Sequence, residues 1–171
     1  FGLLFGLLFG LLFGLLFGLR LGQALGFLRR LLAGFFRLPL LARLRGGVAR
    51  KMGTAAVVFT NDSPEALSFV GHPQVASFAG RGPLTPDHVL HTKRVPLFLP
   101  AEPGPDQPAG SLDEFEREYR SYFQRYATHG LTCLDPAPRW AVWPGHGALA
   151  FVPTAARAQV VLAHAPGELE G

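Results

Sequence analysis

The chain has 171 residues and a formal net charge of +4, with sixteen basic and twelve acidic side chains. This length fits one ordinary domain, or one small domain with an appendage. Because residues 1–51 contain eight basic and no acidic residues, the remainder carries a net charge of −4, which excludes a uniformly basic nucleic-acid binder. Cys133 is the single cysteine, which excludes an intrachain disulfide framework and a cysteine-rich zinc site.

The first 26 residues form a low-complexity leader. Residues 1–16 are four identical FGLL repeats, and the first charged residue is Arg20. As a helix, the nineteen uncharged residues before it extend about 28 Å, close to the hydrocarbon thickness of a bilayer. Residues 1–26 are therefore predicted to be an apolar helix that could span a membrane. The other interpretations are a secretory signal and a translated low-complexity repeat upstream of a start at Met52.

Residues 27–51 combine leucine and phenylalanine with seven basic residues. They are predicted to be a basic amphipathic linker, in which Pro39 ends a helix. Basic residues that follow a span mark its cytoplasmic side, and residues 1–45 could also contact an anionic membrane surface. Two locations stay open: a cytoplasmic protein, or a membrane-anchored protein whose soluble domain lies in the cytosol.

Residues 52–171 alternate between short apolar runs and amphipathic segments, which predicts an α/β fold with a small sheet and flanking helices. The first of four predicted strands is expected to be buried, and the second to lie at an edge because prolines flank it. The predicted strands are residues 55–60, 95–99, 139–143 and 148–152. Helix-start signals occur at Ser63, His72, Thr85, Ser111 and Thr154. The proline-rich residues 100–110 are predicted to be a surface loop.

Residues 85–94 form the densest polar cluster. If a helix begins at residue 86, Asp87 and His91 are four residues apart and share one face. His88 could join them, so that the three side chains chelate a divalent ion; alternatively, His88 could act as a base. The structural alternative is that Asp87 stabilises a helix start and that the histidines are surface residues.

The other chemical signals are less specific. Lys93 and Arg94 could hold a phosphate or carboxylate group. The sequence contains no glycine-rich nucleotide loop and no G-x-S-x-G, H-E-x-x-H or H-x-H motif. His146 is expected in a turn, and Cys133 is expected to be a small buried side chain, because no histidine lies beside it in the sequence.

Three stretches resemble the class II aldolase/adducin family. They are residues 59–70 (FTNDSPEALSFV), 82–97 (GPLTPDHVLHTKRVPL) and 134–149 (LDPAPRWAVWPGHGAL). The similarity is greatest to the later part of the aldolase module in bifunctional rhamnulose-phosphate aldolase/short-chain dehydrogenase proteins, and it covers about residues 55–160. Its most specific parts are the TPDH…TKR and DPAPR motifs.

The resemblance implies a lyase that uses a divalent metal, usually zinc, to cleave or form a carbon–carbon bond in sugar phosphates. In the family, the metal ligands are an H-x-H pair, a further histidine and an acid, all expected upstream of Asn61. This sequence has no matching positions there. The residues that can be carried over are Asp87, His88, Thr92 and Lys93. The family's downstream dehydrogenase, with its glycine-rich loop, has no counterpart either.

Three functional hypotheses follow. The first is a partial class II aldolase/adducin-like module for sugar phosphates, not catalytic alone because the metal-ligand half is missing. The second is a non-enzymatic α/β module tethered to a membrane. The third is a small lyase whose metal site consists of Asp87, His88 and His91. A homo-oligomer is expected, and a nucleic-acid partner is not.

Overall fold

The computed structural model describes residues 21–83, 89, 91–102, 104, 106–157 and 161, with side chains from Arg37 onwards. These residues form an α/β fold with a four-stranded sheet and flanking helices, as predicted. In chain order the elements are α1 (Leu21–Met52), β1 (Val57–Asn61), α2 (Pro64–Val70), α3 (Val75–Ala79), β2 (Leu97–Phe98), α4 (Gln107–Tyr126), β3 (Trp140–Trp143), β4 (Gly147–Val152) and a 3-10 turn (Ala155–Arg157).

The sheet has the strand order β1-β4-β3-β2, with the hairpin β3–β4 at its centre. Strand β4 pairs antiparallel with both β1 and β3, whereas β2 pairs parallel with β3. Every residue of β3 and β4 is buried. Continuous apolar runs such as WAVW and GALAFV are typical of strands that are covered on both faces.

Alternate residues of the central strands face two apolar layers. On one face, Val70, Val75 and Ala79 of the short helices pack with side chains of β3 and β4. The sheet residues of this layer are Trp140, Val142, Ala148, Ala150 and Val152. Trp143 is three residues from Trp140 and lies on the opposite face, and both indoles are buried.

The chain divides into two compact units, residues 1–42 and 43–171, and the last turns of α1 belong to the second. Leu44 and Val48 are buried there. Gly47 lies so close to α4 that an added Cβ would meet Leu112 Cδ1 at 2.5 Å. The Lys51 ammonium group bonds to Asp113 at 2.7 Å and to Glu116 at 2.6 Å. Close packing and ion pairs therefore hold these turns against α4.

Several local predictions are confirmed. The Ser63 side chain caps α2 by accepting a hydrogen bond from Ala66 N, and Pro64 lies in the first turn, where its missing N–H is not needed. Strand β2 lies at the edge of the sheet and is only two residues long, since Pro96 and Pro100 flank it.

Other predictions were wrong. The first predicted strand was expected to be buried, but β1 is partly exposed. It lies at the edge of the sheet opposite to β2, where β4 is its one neighbouring strand. Helix α4 begins at Gln107 instead of Ser111; Pro108 lies in its first turn, where a proline is tolerated. Pro39 does not end α1: the helix continues past it to Met52, although a proline inside a helix removes one backbone N–H donor and crowds the carbonyl one turn before it.

The predicted leader lies mostly outside the described residues, which begin at Leu21. Within the described part of the chain, no helix is both long enough and apolar enough to cross a membrane.

Replacing Gly147 by alanine is expected to destabilise the second unit by about 3 kcal/mol. Gly147 has a φ of 101°, and a Cβ there would overlap with the backbone carbonyl of Asn61 on β1. The matched control is Gly145→Ala in the adjoining β3–β4 turn, where φ is 77° and no atom lies within 4 Å of the added Cβ. The control should lose only about 1 kcal/mol. Urea unfolding followed by tryptophan fluorescence measures both, and equal losses would contradict the predicted collision.

Candidate functional site

The predicted polar cluster is only partly within the described residues. Asp87 and His88 lie outside them, so the proposed chelate with His91 stays a prediction. His91 is helical and exposed. Thr92 and Lys93 are buried, with 3% and 6% of their surfaces exposed, whereas Arg94 is exposed. At the end of this motif, two consecutive side chains are therefore buried and the third is exposed to solvent.

A left-handed backbone conformation brings Lys93 into the interior. Its N–H donates to the carbonyl of Val89 at 3.0 Å, which closes the last helical turn, and its φ of 64° then reverses the chain. A non-glycine residue in this region is uncommon and is strained by its own Cβ. The hydroxyl of Thr92 donates to the Lys93 carbonyl at 3.0 Å, which satisfies a carbonyl at this helix end.

The Lys93 ammonium group is surrounded by partners from two other segments. Its Nζ donates to the backbone carbonyl of Asp135 at 2.6 Å and lies 4.1 Å from the centre of the Tyr119 ring. The Asp135 carboxylate holds the Arg139 guanidinium by two hydrogen bonds, of 2.9 and 2.6 Å. We call Lys93, Tyr119, Asp135 and Arg139 the Lys93 cluster. It joins the TKR motif to the DPAPR motif.

Burial controls the electrostatics of this cluster. It lowers the pKa of Lys93 to about 8, although the charge of Asp135 opposes the shift. Burial alone would raise the pKa of Asp135, but hydrogen bonds and charge from Arg139, with the charge of Lys93, outweigh it and lower that pKa. Burial also raises the pKa of Tyr119. At neutral pH Lys93 is therefore a hydrogen-bonded cation, Asp135 is ionised and Tyr119 is neutral.

The arrangement suits a structural anchor better than acid–base chemistry. A general base must be within reach of the proton that it abstracts, whereas the Lys93 amine is buried and bonded to a backbone carbonyl oxygen. The predicted phosphate role of Lys93 and Arg94 stays a prediction. The two side chains differ in accessibility: Lys93 is buried, and Arg94 is exposed with its guanidinium 5.1 Å from the Tyr122 ring.

Sequence reasoning missed Tyr119, Asp135 and Arg139 as partners of Lys93. The i,i+4 spacing of Asp135 and Arg139 was visible, but Pro136 and Pro138 exclude the helix in which that spacing usually indicates an ion pair. Here the segment has no regular secondary structure, and Asp135 Oδ1 also accepts from Ala137 N at 3.2 Å. Only the tertiary fold brings this segment to Lys93.

The described residues do not fit a divalent metal. Among them, no group of three or more His, Cys, Asp or Glu side chains is close enough to hold an ion. His146 lies in the β3–β4 turn, as predicted, and the centres of the His146 and Trp143 rings are 4.2 Å apart. Cys133 is half-buried, more exposed than predicted.

The family model for the second domain of class II aldolases matches residues 37–165. The chain belongs to this family. It is also 31% identical over 111 residues to the "uncharacterized oxidoreductase YuxG" of Bacillus subtilis (strain 168). That match covers 61% of this chain and 16% of the relative, so the chain spans about a sixth of the relative's length. No solved structure matches.

The pKa of Lys93 leads to a prediction about the pH dependence of stability. An unfolded lysine has a pKa of 10.5, and folded Lys93 has one of about 8, so the unfolded chain binds more protons between these pH values. The Lys93 contribution to the free energy of unfolding is therefore constant below pH 8 and rises from pH 8 to 10.5. In Lys93→Met this rise should disappear.

The chain's other lysine provides the control. The Lys51 pKa is raised, because hydrogen bonds to Asp113 and Glu116 outweigh burial, so its contribution changes only above the ordinary lysine range. Urea unfolding across pH 8–10.5 should show a growing difference between wild type and Lys93→Met, and a constant difference for Lys51→Met. A constant difference for both would contradict the prediction.

Proposed function

We propose that this chain is the part of a class II aldolase-type module that supports, but does not itself contain, the metal centre for cleavage of a sugar phosphate. The observation that carries the proposal is the Lys93 cluster. Its 2.6 Å hydrogen bond joins the two motifs that resemble the family most specifically. A family domain that keeps both motifs in contact retains the framework on which such a site is built.

In this proposal the metal ligands come from outside this chain. The sequence has no H-x-H pair, and the described residues offer no three-donor group. A catalytic zinc site in proteins has three protein ligands and an open position. The chain therefore contributes framework and substrate contacts and is inactive alone.

The length of the relative supports a further part of the proposal, that this domain belongs to a longer polypeptide. The 111 matched residues correspond to 16% of a protein whose name describes an oxidoreductase. We propose that the domain works in a longer cytoplasmic polypeptide that also carries a dehydrogenase, so that one protein performs an aldol step and a redox step.

The mass of the native polypeptide in its source cell tests this proposal. We expect a mass far above 18.5 kDa, because in this proposal one longer native polypeptide contains this sequence, the metal ligands and the dehydrogenase. Immunodetection with an antibody against the second unit, followed by mass spectrometry, gives the value. A native chain of 18.5 kDa or less would overturn the proposal.

The same cell extract distinguishes the alternative of a membrane-tethered, non-enzymatic module. That alternative is supported by the nineteen uncharged residues before Arg20. It requires the polypeptide to stay in the membrane pellet after alkaline extraction, and to leave the pellet when residues 1–19 are deleted. Our proposal expects the wild-type protein in the soluble fraction.

Zinc stoichiometry tests the third hypothesis, a site formed by Asp87, His88 and His91. We expect the full chain to retain far less than one zinc per molecule after dialysis, because three ligands with a correct geometry are required. The double variant His88→Ala/His91→Ala should then match wild type, as should the control His72→Ala/His129→Ala. One zinc per chain that only the first double variant loses would favour the small-lyase hypothesis.

A further inference from the structure

A stripe of four exposed polar side chains runs along α4. Their spacing of four, three and four residues places them on one side of the helix, and it is the spacing of a coiled-coil seam. We call these residues the α4 stripe: Glu114, Glu118, Ser121 and Arg125. A different side of the helix holds Asp113 and Glu116, which bind Lys51.

The order of charges along the α4 stripe is self-complementary in one orientation only. If two copies of α4 packed parallel, Glu114 would face Glu114 and Arg125 would face Arg125, so like charges would repel. In an antiparallel seam, each position that precedes a three-residue step faces the position that follows it. Glu114 of one copy then faces Arg125 of the other, and Glu118 faces Ser121.

The charged members of the α4 stripe are not neutralised within their own chain. Among the described residues, neither Glu118 nor Arg125 forms an ion pair. Glu114 has one partner, Arg117, at 3.5 Å, and both side chains of that pair are largely exposed. Such exposed pairs contribute little free energy, so Glu114 is available to a stronger partner.

The surface beside the α4 stripe has room for the side chains of a second helix. Open grooves of about 480 and 200 Å³ flank the stripe, and Glu118 lines both. Near the middle, Ser121 is small enough to allow close approach. The exposed rings of Tyr122 and Tyr126 adjoin the stripe, with their centres 5.0 Å apart, and aromatic side chains are enriched at protein interfaces.

We propose that the α4 stripe docks on the same stripe of a second copy of this chain, with the two helices antiparallel about a twofold axis. The twofold axis makes each contact occur twice. From Glu114 to Arg125 the helix is about 17 Å long. This contact is short compared with a standard stable interface, so the expected product is a weak, reversible dimer. The proposal does not depend on the proposed aldolase function, since its test measures neither cleavage nor native mass.

Site-specific cross-linking of the full chain tests the orientation. In a Cys133→Ser background, Ser121→Cys places the single thiol on the α4 stripe. The matched control, Arg120→Cys, places it at nearly the same level on another side of α4. With a short thiol-specific cross-linker, we expect at least about tenfold more dimer from Ser121→Cys than from the control, because packed helix axes lie only about 8–10 Å apart.

Charge reversal in the same cross-linking background tests the pairing. Glu114→Arg or Arg125→Glu alone puts like charges at both ends of the contact, so the dimer yield should fall at least about tenfold. Both changes in one chain, or an equimolar mixture of the two single variants, restore opposite charges. The yield should then return to within about twofold of the starting value.

Net charge predicts a different result. Because the chain carries +4, Arg125→Glu would reduce general repulsion and raise the dimer yield. A raised yield in that variant would therefore overturn the proposal. Equal yields from Ser121→Cys and Arg120→Cys would also overturn it, since association would then not use the stripe. So would a loss in the single variants that neither the mixture nor the double variant recovers.

Discussion

The hydrogen bond from the Lys93 ammonium group to the carbonyl oxygen of Asp135 joins two segments that lie 42 residues apart. A buried ammonium group is unfavourable unless polar partners replace its water. Here the Asp135 carbonyl, the Tyr119 ring and the neighbouring Asp135 carboxylate replace it. Because these partners belong to different elements, one amine fixes the position of α4 relative to the chain that enters β3.

The entry into β3 matters because β3 is a central strand. Asp135 uses its carbonyl for Lys93, and its carboxylate for Arg139 and the Ala137 N–H. Pro136 and Pro138 lie between these contacts and are buried, which leaves the segment little conformational freedom. Trp140 follows directly, paired with Ala150 of β4. A rigid approach therefore sets where β3 begins, and the hairpin carries that register to β4 and β1.

Elements of this fold could be predicted from the sequence where a few adjacent residues determine them. The Ser63 cap, the hairpin around Pro144–Gly147 and the proline-bounded edge strand each depend on a few adjacent residues. The predicted start of a helix was wrong where two start signals lie close together in the sequence. The Ser111 capping box was visible, but the helix extends four residues further towards the N-terminus, to Gln107, because Pro108 is tolerated in a first turn.

The contacts of the Lys93 cluster could not be predicted from adjacent residues. A lysine between a threonine and an arginine is normally a surface residue, and nothing near it indicates a left-handed φ or burial at 6% exposure. Its partners are 26 and 42 residues away in the sequence. The family resemblance identified both motifs as specific, whereas their contact required the fold.

Helix α4 uses its two exposed sides differently. On one side, Lys51 bridges Asp113 and Glu116, and Glu116 also holds Arg120, so the charges neutralise one another and fasten the end of α1. On the other side, three arginines share one groove with a single carboxylate. Exposed pairs such as Arg117–Glu114 contribute little to stability, so only the first side helps to hold the fold together.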